Sequence, residues 1–130
     1  MEILVSGAAG TVGSRLVRGL LEQGHKVRGL VLPEDPLRSR LEDLDCRIVE
    51  GDITDRKSLA GAFEGVDLVY HLAAVILSHD PKVFEQVNVV GTRNMLQAAG
   101  EAGVGRFIYV SSASVVYPNS TPYSRSKREC

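Results

Sequence analysis

Apolar residues in this chain follow two alternating patterns, short continuous runs and longer segments in which they recur at helical spacing. The segment Thr11–Gln23 shows the second pattern, because Val12, Leu16 and Leu20 fall on one stripe. The short runs predict buried strands, and these cover Glu2–Ser6, Lys26–Leu32, Arg47–Glu50, Asp67–Ala73 and Arg106–Ser111. The predicted helices are Thr11–Gln23, Asp35–Leu44, Asp55–Phe63, Pro81–Ala102 and Thr121–Cys130.

Strands that alternate with helices form strand–helix–strand units, which place the strands parallel in one sheet. Right-handed crossovers then favour a doubly wound α/β fold of three layers, with helices on both faces of the sheet. Residues 1–130 form a single domain in this interpretation. Because the last helix has barely begun where the sequence stops, we expect a fragment that lacks a C-terminal substrate-binding part and has weak or absent catalysis.

Composition narrows the class of protein. The chain has 15 Lys and Arg residues, 16 Asp and Glu residues and a net charge of -1, which gives no electrostatic reason to bind nucleic acid or an acidic membrane. Its longest apolar run, Leu72–Leu77, is too short to cross a bilayer. Cys46 and Cys130 lack metal-type or CxxC spacing. We therefore expect a cytoplasmic protein with two reduced thiols and no bound metal.

Three glycines lie between the first predicted strand and the first predicted helix. Gly7, Gly10 and Gly13 are three residues apart. In such a loop the first glycine permits a tight turn, the second lets backbone N–H groups approach a pyrophosphate, and the third allows close packing of helix and strand. The positive end of the helix dipole adds to the attraction. The loop therefore predicts a dinucleotide site.

Other segments that leave predicted strands carry candidate ligand contacts. Asp52 follows the third strand, where its carboxylate could accept from an adenine amino group or could cap the next helix; the residues alone leave both readings open. Thr54 is a second candidate cap for that helix. After the fourth strand, the small residues of Leu72–Ala74 suit a backbone that passes a ribose and phosphates. His71 itself is expected to be a structural histidine.

A proton-transfer group is predicted near the end of the chain. Tyr123 and Lys127 are four residues apart at the start of a helix, so both project from one face. A tyrosine with its ordinary pKa of about 10 is a poor base at neutral pH, and a nearby ammonium moves that pKa downward. Ser111 and Ser112 end the fifth strand at the carboxyl edge of the sheet, where a hydroxyl could hold a substrate oxygen.

Taken together, these motifs resemble the short-chain dehydrogenase/reductase family, in the extended branch of nucleotide-sugar epimerases, dehydratases and ketone reductases. The resemblance covers the whole chain. It is carried, in the family's order, by Gly7–Gly13, Gly51–Asp55, His71–Ala74, Asn88–Thr92, Val110–Ser112 and Tyr123–Lys127.

The resemblance implies an NAD(P)-dependent enzyme that acts on a secondary alcohol or ketone. It assigns Tyr123 as general acid and base, and Ser112 as the residue whose hydroxyl holds the substrate oxygen. Lys127 would hold the nicotinamide ribose, and Asn88 would support the site. The substrate expected is a small molecule, a nucleotide sugar, and the expected assembly is a homodimer through the helices at Pro81–Ala102 and Thr121. The implied cofactor-binding residues are Gly7, Ala9, Gly10, Thr11, Val12, Gly13, Leu32, Asp52, Ile53, Leu72, Ala73, Ala74, Tyr123 and Lys127.

Departures from the family pattern leave three points open. The second strand lacks an acid at Val31 and an arginine at Leu32, so either NAD or NADP is possible. One alignment selects Ser112 as the catalytic hydroxyl, with Ser111 and Ser114 in reserve, and another falls on Ala113. Ala113 and Ser114 replace the Asp-Glu pair that is typical of sugar-nucleotide dehydratases, which argues against dehydration.

Two alternative functions remain. One is an NADPH-dependent reductase of ketones, flavonols or steroids, which consumes cofactor where an epimerase regenerates it. The other is a regulator or assembly factor that binds the dinucleotide without catalysis. The presence of Tyr123 and Lys127 counts against the second alternative.

Overall fold

The computed structural model describes residues 1–130 and contains one five-stranded, wholly parallel sheet. The strands are β1 (Glu2–Ser6), β2 (Lys26–Val31), β3 (Arg47–Glu50), β4 (Leu68–His71) and β5 (Arg106–Tyr109). Their order across the sheet is β3-β2-β1-β4-β5. The predicted doubly wound α/β fold is therefore confirmed.

Four α-helices accompany the sheet: α1 (Thr11–Glu22), α2 (Pro81–Phe84), α3 (Gly91–Glu101) and α4 (Pro122–Glu129). A π-helical stretch, Glu85–Val90, joins α2 to α3, so the predicted long helix is continuous but underwound in its middle. Single 3-10 turns occupy Arg38–Leu41, Arg56–Leu59 and Ala113–Val116.

The predicted helices Asp35–Leu44 and Asp55–Phe63 are wrong, since each segment contains only a 3-10 turn. Local side-chain hydrogen bonds explain the second case. The Ser58 hydroxyl bonds the carbonyls of Asp52 and Asp55 at 2.9 and 2.7 Å, and Gly61 then turns the chain at φ 79°. The cap is Asp55, whose carboxylate accepts from the Lys57 amide, and not Thr54.

The sheet separates two hydrophobic cores because side chains alternate between its faces. On one face, Ile3 and Val5 of β1 pack with Val17 of α1. On the other face, Leu4 of β1 packs with Met95 of α3. The three predicted layers thus form around a strand that is buried on both sides.

The strand order reverses direction at β1. The chain steps outward from β1 to β2 and β3, then crosses to β4 and β5 on the opposite side of β1. Loops that leave the carboxyl ends of β1 and β4 therefore diverge and open a crevice between them, which is where ligands bind in sheets of this kind.

Candidate functional site

A cleft of about 700 Å³ lies over the carboxyl edge of the sheet. Its walls are the loops that follow β1, β2, β3 and β4, together with one side of the helix at Val83–Val87. This volume is typical of small-molecule and cofactor sites.

The glycine loop forms the floor of the cleft. Gly7 has φ +66°, and a Cβ there would lie 2.9 Å from the Ala73 amide nitrogen. A Cβ on Gly13 would lie 2.0 Å from the Gly7 carbonyl oxygen, a distance that no side chain tolerates. Both glycines are therefore required by backbone packing, and Gly13 packs against the loop itself.

Helix α1 begins at this floor with free hydrogen-bond donors. Its N-cap residue is Gly10, no side chain caps it, and its first turn contains no acid. The first amides of a helix have no partner within the helix. Because Thr11, Val12 and Gly13 line the cleft, this end of α1 is suited to an anion.

The other end of the cleft is acidic. Asp35 and Asp52 are the only charged residues that line the cleft. The Asp52 carboxylate accepts from the Thr54 amide and hydroxyl at 2.9 and 2.7 Å. Asp52 therefore stabilises its own turn in addition to lining the cleft. Nearby arginines are engaged elsewhere: Arg38 pairs with Glu50, and Arg40 donates to the Ala9 carbonyl at 3.2 Å.

The buried His71 lies at the end of β4 and is 1% exposed. Both of its ring nitrogens are hydrogen-bonded, one with Ser6 and one with Thr92. Burial, and secondarily the charge of Lys127, lowers its pKa to about 4, so the imidazole is neutral at physiological pH. This is the arrangement of a structural histidine.

Helix α4 carries the predicted proton-transfer pair. Thr121 and Ser124 form a reciprocal capping box, and Pro122 opens the first turn, which fixes where the helix starts. Tyr123 and Lys127 are consequently one turn apart. The Tyr123 ring packs edge-on against Phe84 of α2, with 6.5 Å between ring centroids.

Lys127 is turned toward β5. Its ammonium donates to the Val110 carbonyl at 2.9 Å and lies 4.4 Å from the centroid of the Tyr109 ring. Burial lowers the pKa of Lys127. The Tyr123 hydroxyl forms no hydrogen bond with another protein group, so the phenol and the ammonium are neighbours on one helix without a direct bond.

The candidate hydroxyl, Ser112, follows β5 and is half-buried. It caps the turn at Ala113–Val116, where it accepts from the Ser114 amide at 3.2 Å and shares a 2.9 Å hydrogen bond with the Ser114 hydroxyl. Ser111 is exposed, and Ala113 lies in the turn itself.

Asn88 links the cleft to α4. From within the π-helical stretch, its amide accepts from the Val75 N–H at 2.8 Å and donates to the Val75 carbonyl at 3.0 Å. The same Nδ2 donates to the Ser126 hydroxyl at 2.9 Å. Loop and helix are thereby tied through one buried side chain.

The structure brings most of the predicted cofactor residues together along one cleft, as the lining contains Gly7, Gly10, Thr11, Val12, Gly13, Leu32, Asp52, Ile53, Leu72, Ala73 and Ala74. Ala9 belongs to the glycine loop but is buried and does not line the cleft, and Tyr123 and Lys127 also lie outside the lining. Sequence reasoning missed Val83, Gln86 and Val87, whose spacing of three and four residues places them on one helix face toward the cleft.

Comparison with known proteins identifies the class. A family model described as the NAD dependent epimerase/dehydratase family matches residues 3–130. The chain belongs to this family, as the resemblance predicted.

Curated relatives include enzymes of different names. The chain is 42% identical to a 3 beta-hydroxysteroid dehydrogenase/Delta 5-->4-isomerase of Mycobacterium tuberculosis, over 88% of this chain and 32% of the relative. It is 37% identical to cinnamoyl-CoA reductase 1 of Petunia hybrida, over 98% of this chain and 40% of the relative. The chain therefore spans only about a third to two fifths of the length of these relatives.

Solved structures agree in fold. A short-chain dehydrogenase/reductase superfamily protein of Agrobacterium tumefaciens, solved with bound NAD, is 35% identical with a TM-score of 0.83, over 99% of this chain and 42% of that one. A UDP-galactose 4-epimerase is 28% identical with a TM-score of 0.87, over 99% of this chain and 48% of that one. No helix in the structure has the length and apolar character needed to span a membrane.

Proposed function

We propose that this chain binds NAD in the cleft, with the pyrophosphate at the start of α1. The uncapped helix end beside Gly7 and Gly13 carries the proposal, because its backbone amides need an external acceptor. Asp35 and Asp52 favour NAD over NADP, since the lining contains two carboxylates and no cation to meet a 2′-phosphate.

The proposed chemistry is oxidation of a secondary alcohol or reduction of a ketone. Bound nicotinamide supplies the hydride acceptor or donor. During oxidation, the alcohol carbon would give up a hydride while the deprotonated Tyr123 accepts the hydroxyl proton, which leaves a carbonyl; during reduction, the protonated Tyr123 would return that proton to the oxygen. Ser112 holds the substrate oxygen by hydrogen bonding. The buried Lys127 ammonium, one turn from Tyr123, stabilises the negative charge of a deprotonated phenol.

A nucleotide sugar is the first substrate proposed, supported by the similarity to a UDP-galactose 4-epimerase. An apolar ketone or alcohol is the second. It is favoured by Ile76 and Leu77 beyond β4 and by Val116 and Tyr117 beyond β5, all exposed on segments that leave the carboxyl edge. The higher identity to a steroid dehydrogenase points the same way. We also propose a homodimer through two helical segments, the continuous one formed by α2, the π-helical stretch and α3, and α4.

Calorimetric titration with NAD and NADP tests the binding proposal. We expect binding of NAD, weaker binding of NADP, and no binding in Gly13→Ala. Tyr123→Phe separates binding from chemistry: it should keep NAD affinity and abolish nicotinamide reduction with any substrate that the unaltered protein turns over. Panels of nucleotide sugars and of apolar alcohols distinguish the two substrate classes. Undetectable NAD binding by the folded protein would overturn the proposal.

A further inference from the structure

A row of side chains connects the glycine loop to α4 beneath the cleft. Ser6, His71 and Tyr109 end β1, β4 and β5, and the sheet register pairs Ser6 with His71 and His71 with Tyr109. The His71 and Tyr109 rings are 6.0 Å apart between centroids, and the Tyr109 ring lies under the Lys127 ammonium. His71 is thus the middle member of a continuous row.

Hydrogen-bond counting fixes the protons of this row. The Ser6 hydroxyl oxygen accepts from the Leu72 and Ala73 amides at 3.0 and 3.1 Å, which fills both of its lone pairs. Its proton must therefore go to Nδ1 of His71, 2.6 Å away. A neutral imidazole then carries its proton on Nε2, which donates to the Thr92 hydroxyl at 2.9 Å.

The two amides held by Ser6 belong to the wall of the cleft. Leu72 and Ala73 line it, and Ala73 contacts Gly7 so closely that a Cβ on Gly7 would clash. The direction of the Ser6 hydroxyl therefore sets how the β4 loop sits against the glycine loop. That direction depends on an acceptor at Nδ1, because a protonated Nδ1 would compete as a donor.

We propose that His71 is a positioning residue: as the neutral Nε2-protonated tautomer it orients Ser6, and through Ser6 it sets the spacing of the two loops that bound the dinucleotide cleft. The effect on ligand binding rests on the proposed function, whereas the effect on the loop does not.

A double-mutant cycle tests whether His71 acts through Ser6. We expect His71→Phe to weaken NAD binding about tenfold, and Ser6→Ala to do the same. In the Ser6→Ala background, adding His71→Phe should change affinity by less than about twofold, because the hydrogen bond between Ser6 and His71 is already absent.

The variant His71→Asn keeps an acceptor oxygen near the Nδ1 position, so it should retain most of the affinity that His71→Phe loses. The matched control, His79→Phe, changes an exposed histidine and should have no effect. Additive losses would overturn the proposal.

Two measurements on the protein without NAD complete the test. A long-range proton–nitrogen NMR spectrum should show His71 unprotonated at Nδ1 and protonated at Nε2, and the opposite tautomer would overturn the proposal. Hydrogen exchange should show the Leu72 and Ala73 amides protected, with protection lost selectively in His71→Phe; unchanged protection would contradict it. Where His71→Phe fails to fold, Ser6→Ala and His71→Asn carry the exchange experiment. Absence of NAD binding in the unaltered protein would reject the proposed function. The tautomer and exchange results would still show whether His71 orients Ser6.

Discussion

The glycine loop and α4 build their parts of the site in different ways. At the loop, the backbone forms the candidate ligand site: Gly7 and Gly13 allow backbone contacts that no side chain permits, and α1 presents amides that no side chain caps. On α4, side chains form the candidate catalytic group, and both already contact other residues of the chain. Lys127 donates to the Val110 carbonyl, and the Tyr123 ring packs on Phe84. A backbone site is complete once its strand and helix form, whereas a side-chain site also depends on what its neighbours leave free.

The largest expected effect is the loss of NAD affinity when the backbone of the glycine loop is distorted. Gly13→Ala places a Cβ 2.0 Å from the Gly7 carbonyl oxygen, so the loop must distort and NAD affinity should fall by at least about 1,000-fold, to undetectable binding. Gly19→Ala, on the same helix, is the control, because nothing lies within 4 Å of its added Cβ. The control should bind NAD normally and be stabilised by up to about 1 kcal/mol. Calorimetry and urea unfolding give both values; equal binding by the two variants would contradict the comparison.

A pH effect comes next and concerns the row that joins the two regions. Because the pKa of His71 is lowered from 6.5 to about 4, the unfolded chain binds a proton that the folded protein does not between these values. Stability should therefore be complete above pH 6.5 and decline toward pH 4, by about 3 kcal/mol from this group. Urea unfolding across this range measures the slope. His71→Asn should remove that part of the slope, and an unchanged slope would contradict the assignment.

A smaller effect separates α4 from the loop. Ser126→Ala removes the hydroxyl that accepts from Asn88 and should cost about 1 kcal/mol of stability. Hydrogen exchange in α4 should increase, while NAD affinity should change by less than about twofold, because Asn88 keeps both bonds to Val75. A large loss of NAD affinity in this variant would show that the two regions are not separable.

The smallest effect is confined to the start of α4. Thr121→Ala removes the capping box with Ser124 and should cost about 1 kcal/mol or less at this exposed helix end. Hydrogen exchange of the Ser124 and Arg125 amides reports it directly. Exchange that spreads into β5 would contradict a local effect.

The sequence predicted the sheet well because each strand contains a short apolar run, which is largely buried in β1, β2 and β4 and half-buried in β3 and β5. Glu2–Ser6 and Arg47–Glu50 match to the residue. It failed at Asp35–Leu44 and Asp55–Phe63, where Asp and Ser side chains bond the local backbone and compete with a helix. Periodicity records apolar spacing and does not register this competition.

The candidate site shows the same division. The residues of the glycine loop could be predicted from the glycine spacing, because Gly7 and Gly13 are required by contacts between backbone atoms. The engagement of Lys127 with Val110 and Tyr109 could not be predicted, because it depends on how α4 lies against β5. The Asn88 contacts with Val75 and Ser126 likewise depend on the π-helical stretch, which has no signal in the apolar pattern.

Mapping NAD onto the amide NMR spectrum of the chain tests the central claim most directly. If the backbone at the start of α1 holds the pyrophosphate, the largest shifts on adding NAD should fall on the amides of Gly10–Gly13 and on Leu72–Ala74 across the cleft, and Gly13→Ala should abolish them. Shifts confined to α4 or to the outer faces of the helices, or no shifts at saturating NAD, would contradict the account.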